Sequence, residues 1–400
     1  MSRWILCLLP ALSITAACRD RPAPVDLESP PGAPLVADGI LYVGTADGVL
    51  HAIDVASRTE RWRLEAGGGS LLRPAVTDGM LFVGSLDGVL HAVDTETGTE
   101  RWRFETGDVD WPIRDRFVNG TPTVNGGVVY FSSEDWNVYA LDARTGAERW
   151  RFRLDEEPQA LEIPIRDGVA YIGSWDGHLY AIAVATGTEK WRSQTDSDHR
   201  GRTLRNDAGE LYWVSDDPDG ETLPDQAPYV TVVPVITDEM VYFTDWSGNL
   251  MAVGVDDGVQ RWRFRPQVID ARHVGSRFHI ARRDDVIYFA TVEDRHLYGV
   301  DRHTGEQVWE RETPTPVYGP LPWGDDVLFY IAVPPDGTGE SGFELHAIDA
   351  DDKEPLWTRS GLSAPPCLDG DRVYLPLARN SIVAVDRRGG GEVWRLGPSP

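Results

Sequence analysis

Lysine is almost missing from this 400-residue chain: only Lys190 and Lys353 occur, and nearly all positive charge is arginine. Cysteine is nearly as scarce. Cys7, Cys18 and Cys367 are too few for a disulfide framework or a cysteine-based zinc site. The nine histidines show no His-x-x-x-His pair or other metal-ligand spacing. No Gly-x-Ser-x-Gly or Walker sequence occurs, so no nucleophile elbow or phosphate loop is expected. Bases are outnumbered by acids, 38 to 64, and the net charge of −26 repels phosphate backbones. Nucleic acid is therefore not an expected partner. What the chain has in quantity is aromatic: 15 Trp, 13 Tyr and 11 Phe, far more than a disordered segment needs.

The N-terminus reads as an export signal over residues 1–17. Arg3 is its only charge, an apolar stretch runs from Trp4 to about Ile14, and the small residues Thr15-Ala16-Ala17 precede Cys18. The stretch is too short to span a bilayer. A cysteine directly after small residues resembles the bacterial lipobox, although Thr15 stands where that motif prefers leucine. The resemblance implies lipidation of Cys18. Residues 18–33, Pro-rich and polar, read as a tether.

The remainder, 34–400, repeats one unit. GILYVGTADGVLHAIDVASRTERWRL begins at Gly39 and GMLFVGSLDGVLHAVDTETGTERWRF at Gly79, and six further copies follow. Their closing tryptophans fall at Trp62, Trp102, Trp150, Trp191, Trp262, Trp309, Trp357 and Trp394. Each copy parses into four short strands. An apolar second strand is followed by a tight turn, often Asp-Gly. The third strand ends Ala-x-Asp, and a Thr-Gly turn leads to the strand that holds the Trp. Four-stranded units at about this period are propeller blades, so the expected fold is an all-β, eight-bladed propeller.

The motif Ala-x-Asp-x-x-Thr-Gly-x-x-x-Trp resembles the pyrroloquinoline-quinone-like (PQQ-like) repeat. That resemblance implies a structural role for the eight tryptophans, each docking its blade on the next near the turn glycine. Ser57-Arg58 in the first unit and Asp351-Asp352 in the seventh depart from the Thr-Gly pattern. The aspartates closing the third strands are expected to cap the following turn. His51, His91 and His346 share a third-strand position with tyrosines and read as packing groups.

Strand alternation assigns each connection to a side of the disc. Connections between units and the hairpins joining second to third strands share one face, and every sizeable insertion falls there: 106–118, 194–230, 266–277 and 334–342. These loops carry Trp111, Arg114, Arg116, Arg200, Arg202, Arg205, Arg272 and Arg277, a cationic and aromatic set on an acidic protein, expected to be the partner-binding face. Tyr212 and Trp213 suggest a small hairpin in the second insertion. The acidic run 216–221 lacks the full spacing of a calcium loop, so no metal is expected.

Signal, anchor, size and repeat together resemble the outer-membrane protein assembly factor BamB family. That likeness implies a non-catalytic exported scaffold without cofactor, in the cell envelope at the outer membrane facing the periplasm or at the cell surface. Its partners would be the barrel-assembly machinery or unfolded outer-membrane proteins. Two alternatives stand beside it. One is a PQQ-dependent quinoprotein dehydrogenase, for which the adjacent cysteines and additional segments of those enzymes are missing. The other is a surface or periplasmic propeller that binds another ligand.

Overall fold

A computed structural model of the chain describes residues 27, 29, 31–67, 71–107, 118–158, 162–195, 201–205, 211–215, 233–245, 248–266, 280–291, 295–318, 323–324, 326–332, 342–378 and 380–397. Among them there is no helix, and every sheet is an antiparallel meander. Cys18 and the expected export signal of residues 1–17 lie outside the described residues.

The first unit shows the plan. Leu35–Ala37, Ile40–Gly44, Val49–Asp54 and Glu60–Glu65 pair in chain order. We call these strands A to D. Strand B is buried at every position, and strand C at its four central ones. Burial on both faces is why these strands are apolar on successive residues instead of alternating. Strand D alternates exposed charge with half-buried Trp62 and Leu64, as an outer edge that must not pair with other chains does.

Units 2 to 6 repeat this order, and units 7 and 8 share a nine-stranded sheet through the single pair Leu362↔Leu377. The described strands thus form eight four-stranded units. In unit 7, strand A is split: Val317–Tyr318 and Trp323–Gly324 both pair with Val327–Ala332. A separate two-stranded hairpin, Gly201–Arg205 with Leu211–Ser215, lies between units 4 and 5 in the chain.

Eight apolar clusters join the units. Tyr42 and Leu50 of unit 1 pack with Leu81 and Val83 of unit 2, and equivalent clusters join each successive pair. The series closes on itself, because Leu41, Val43 and Ile53 of unit 1 share a cluster with Tyr374, Ile382 and Trp394 of unit 8. Leu27, 1% exposed, belongs to that closing cluster. Pro31 bridges to Thr45, and its carbonyl accepts the Ser363 hydroxyl at 3.0 Å. Leu27 and Pro31 of the expected tether, residues 18–33, thus lie against the propeller. A single leucine finds an apolar slot, and its burial outweighs the polar, Pro-rich context.

One transverse row of side chains recurs in every unit. A strand-B aromatic, a strand-C Ala or Gly and the strand-D Trp stand side by side, as in Tyr42↔Ala52↔Trp62. The eight aromatic–indole centroid distances run from 5.7 to 5.9 Å. The small residue leaves the space that the indole occupies. Each indole then reaches the next unit. The Trp62 Nε1–H donates to the Thr95 carbonyl at 2.8 Å, and Trp102, Trp150, Trp191, Trp262 and Trp357 donate to Ala143, Val184, Val255, Arg302 and Arg387.

The six receiving turns hold a glycine at positive φ against the indole. A Cβ on Gly98, Gly146, Gly187, Gly258, Gly305 or Gly390 would lie 2.5–2.8 Å from the ring. The two remaining turns hold Arg58 (φ 61) and Lys353 (φ 66) instead. Trp394, which faces the first unit, has a buried indole nitrogen with no partner, and Trp309 makes no indole hydrogen bond among the described residues. Other contacts reinforce the Lys353 seam: Arg283 pairs with Asp351 at 2.6 Å, and the Arg311 guanidinium donates to the Lys353 carbonyl.

The strand-C aspartates close the C-to-D turns. Asp142 Oδ1 accepts the Thr145 backbone N–H at 3.0 Å, and its Oδ2 accepts Arg149 at 2.9 Å. Asp54 and Asp94 repeat this with Ser57 and Arg61, and with Thr97 and Arg101. The Arg149 bond, followed by those of Thr145, holds the Asp142 carboxyl down at about 2. The Ser57 backbone N–H, followed by Arg61, does the same for Asp54, also to about 2.

Two outcomes follow from these contacts. Gly187→Ala should cost roughly 2–4 kcal/mol in urea unfolding, from left-handed strain plus overlap with Trp150. Arg58→Gly should gain about 1 kcal/mol by relieving the same strain; equal midpoints for both variants and the native chain would show that the seams do not limit stability. The second outcome concerns acid. A carboxyl depressed from near 3.8 to about 2 stabilises the fold above pH 4, and that contribution disappears as pH falls to 2. Asp142→Asn should therefore lower the urea midpoint at pH 7, and the difference should vanish near pH 2. A difference that does not change with pH would refute the role of this carboxylate.

Candidate functional site

The antiparallel order A-B-C-D places the B-to-C hairpins on the same side of each unit as the connections that lead to the next unit. Of the expected partner-face residues, Trp111, Arg114, Arg116, Arg200, Arg272 and Arg277 lie outside the described residues. Arg202 and Arg205 are placed on the hairpin strand Gly201–Arg205, opposite Val214 and Leu211. The acidic run 216–221 also lies outside the described residues.

Among the described hairpins of this face, those of units 3 and 4 carry tryptophan. In unit 3, the hairpin between Val128–Ser133 and Asn137–Asp142 turns on Asp135 and Trp136. Asp135 is 5% exposed. Its Oδ1 accepts the Asn137 N–H at 3.0 Å, and its Oδ2 accepts the Gly107 N–H at 2.9 Å and the Tyr139 hydroxyl. Gly107 starts the connection out of unit 2, so this carboxylate fixes where the 106–118 insertion leaves the scaffold. Burial, and then the Asp135 bond, drives the Tyr139 hydroxyl far above its usual range and keeps it a proton donor. Trp136, at φ 69, is half-buried, with the Arg153 guanidinium 5.2 Å from its ring centre. Arg153 also donates to the Asp135 carbonyl at 3.2 Å, so the cation and indole are held as one group.

Unit 4 repeats the arrangement with different residues. Its hairpin between Val169–Gly173 and His178–Ala183 carries Trp175 and Asp176. Asp176 accepts the His178 N–H at 2.9 Å and the Tyr180 hydroxyl. Burial raises the Asp176 carboxyl, but the bonds from His178 and Tyr180 outweigh it and leave it below the ordinary range. Arg192 lies 5.3 Å over the Tyr180 ring and pairs with Asp155 at 2.8 Å. The Trp175 N–H donates to the Glu157 carbonyl, which ties the hairpin to the chain leaving unit 3.

Trp136, Trp175 and Trp246 thus stand in the B-to-C hairpins of three consecutive units, where units 1 and 2 have Thr45-Ala46-Asp47-Gly48 and Ser85-Leu86-Asp87-Gly88. Trp246 lies outside the described residues. The sequence reading passed over these tryptophans because it treated the hairpins as turn punctuation; comparing the units position by position would have found them.

No group of three or more metal-ligating side chains converges among the described residues, and no described helix is long and apolar enough to cross a membrane. His51 and His91 are buried, with Nδ1 2.7 Å from Glu60 and Glu100. Cys367 is buried at the seam of units 8 and 1, and burial pushes its thiol up. What the face presents is half-buried indoles, stacked guanidinium groups and a charged rim, which suits contact with a polypeptide surface better than bond-making.

Comparison with known proteins agrees with this geometry. The chain is 26% identical over 193 residues to the outer membrane protein assembly factor BamB of Alkalilimnicola ehrlichii, a match spanning 46% of this chain and 45% of the relative. The aligned region is thus less than half the length of that curated relative. In fold, the chain resembles the crystal structure of BamB from Moraxella catarrhalis, with a TM-score of 0.53 at 17% identity, covering 75% of this chain and 79% of that one. It also resembles the quinohemoprotein alcohol dehydrogenase ADHIIG from Pseudomonas putida HK5, with a TM-score of 0.61 at 15% identity, covering 94% and 77%. At such identities these two likenesses concern the β-propeller fold alone. The family model described as outer membrane protein assembly factor BamB, by contrast, matches residues 19–115, 104–208 and 203–395, and by that measure the chain belongs to the BamB family of PQQ-like repeat β-propellers.

Proposed function

We propose that this chain is a non-catalytic platform of the cell envelope, binding protein partners in outer-membrane β-barrel assembly. One observation carries the reading furthest: the hairpins bearing Trp136 and Trp175, backed by Arg153 and Arg192, occupy the face onto which the long insertions open. Family membership over most of the chain supplies the class of partner. In this reading Cys18 carries the lipid anchor and the protein faces the periplasm from the outer membrane. The insertion residues Trp111, Arg114, Arg116, Arg200, Arg202, Arg205, Arg272 and Arg277 extend the contact surface around the two indoles. An indole with a stacked arginine is the kind of pair that dominates interface energies, at about 2 kcal/mol or more on truncation.

Affinity capture from detergent-solubilised envelopes tests this. The full chain should recover barrel-assembly components. The double variant Trp136→Ala, Arg153→Ala should recover them at least tenfold less well while unfolding at nearly the native midpoint. Capture of a different stable partner, with barrel-assembly components absent, would overturn the proposal.

The likeness to a quinohemoprotein dehydrogenase calls for a second measurement. Titration with PQQ and calcium, followed by absorbance, should show no stoichiometric binding. A tight one-to-one complex would instead establish the enzyme reading.

A further inference from the structure

The opposite face, formed by the A-to-B and C-to-D turns, contains a departure from the repeat that partner docking does not use. Strand registers align one position in all eight units, the strand-A residue two places before the A-to-B turn. It is Val36 opposite Leu41, Val76 opposite Leu81, Val124 opposite Val129, Ile165 opposite Ala170 and Ile236 opposite Val241. In units 7 and 8 it is Trp323 opposite Leu328 and Leu368 opposite Val373. In unit 6 alone it is a cation, Arg282 opposite Ile287. An aliphatic here packs neighbouring units together, so an arginine gives up that burial.

Arg282 does not recover the loss through an ion pair. It is exposed, and it has no hydrogen-bond or ion-pair partner among the described residues. It lines a cavity of about 180 Å³ with Arg166, Arg302, Thr237, Asp238 and Glu239, room for about six waters. The three arginines come from units 4 and 6, and the carboxylates from the A-to-B turn of unit 5 lying between them. Arg302 follows strand C, where units 1 to 5 and 7 have Val55, Thr95, Ala143, Val184, Val255 and Ala350, and unit 8 also has an arginine, Arg387.

Neighbouring carboxylates hold two of these guanidinium groups and leave donors to spare. Arg166 pairs with Asp238 through Nη2. Its Nε is buried without a hydrogen bond, although an Asp167 oxygen lies 3.4 Å away in unfavourable geometry. Arg302 uses Nε to Asp285 at 2.8 Å. Oriented forks with free N–H groups, beside a guanidinium that no described carboxylate pairs directly, are the donor set that a tetrahedral oxyanion accepts from several directions at once.

We infer that the cavity lined by units 4 to 6 is a phosphate-binding site in which Arg282 supplies the guanidinium group that no described side chain engages. The group bound is a phosphate, free or as the phosphomonoester of a larger molecule. Glu239 limits the affinity and favours a ligand whose remaining part turns away from it.

Calorimetry on the full chain at fixed ionic strength tests the site, with inorganic phosphate and glycerol 1-phosphate as probes. At least one should bind one-to-one with a Kd in the millimolar range or below. Arg282→Val, which restores the residue of units 1 to 3, should weaken binding at least tenfold without lowering the urea midpoint. Arg282→Lys should fall in between, since it keeps the charge and loses the fork. Tighter binding of glycerol 1-phosphate would identify a headgroup-like ligand, and equal binding the free anion; either supports the site. Failure of both probes to bind the native chain, or undiminished binding by Arg282→Val, would overturn it.

Discussion

An indole laid between two sheets needs a neighbour without a Cβ, and the arrangement of this molecule rests on satisfying that need around a ring. The strand-C Ala or Gly clears space within the unit, and the turn glycine clears space in the next one. The indole N–H then claims the carbonyl that the turn would otherwise leave to solvent. Three residues in three strands thereby set the distance and angle between adjacent units, and the same solution repeated produces constant curvature. The aspartate closing strand C serves this geometry too, because it fixes the turn whose glycine meets the ring.

The two exceptions mark seams where the turn glycine is replaced. Arg58 and Lys353 adopt the left-handed backbone that the turn demands, and the indoles facing them lose their carbonyls. The Lys353 seam lies within the chain and gains ion pairs across it. The Arg58 seam joins the last unit to the first, where no strand is exchanged among the described residues and closure depends on side-chain contacts. Leu27 and the Pro31 contacts lie across that joint. The segment leaving the propeller toward the N-terminus thus also helps hold it closed.

Much of this was legible in the sequence because one local problem is solved eight times. Period, strand order and the tryptophan row survive substitution of almost everything between them. The cross-seam carbonyl acceptors were not legible, since a backbone oxygen has no sequence signature. Leu27 was hidden by composition, a single aliphatic in a Pro-rich window whose slot joins unit 1 to residues of unit 8 more than 300 positions away. Trp136 and Trp175 were hidden by category, because a tight hairpin reads as a turn before it reads as a surface. The arginine-rich insertions were found by density, a signal that ignores register and so passed over Arg282, whose importance lies in the position it occupies.

Repetition itself provides the means of separating stability from function here. Where eight units must make the same contact, the shared residue is explained by packing, and a deviating residue either carries a visible compensation or gives up stability for something else. Lys353 belongs to the first kind, with its carbonyl and flanking ion pair reused across the seam. Trp175 stands where units 1 and 2 have Ala46 and Leu86, and Trp136 takes the positive-φ position that Gly48 and Gly88 fill there, so their bulk is not needed to make the turn and serves a surface. Arg282 goes further, because it removes an aliphatic contact at a seam and makes no hydrogen bond or ion pair in return among the described residues. The first pair lies on the face of the insertions and the arginine on the face of the short turns. A rigid ring can keep two such surfaces independent, since a change on one side of a four-stranded unit leaves the indole geometry that joins the units intact.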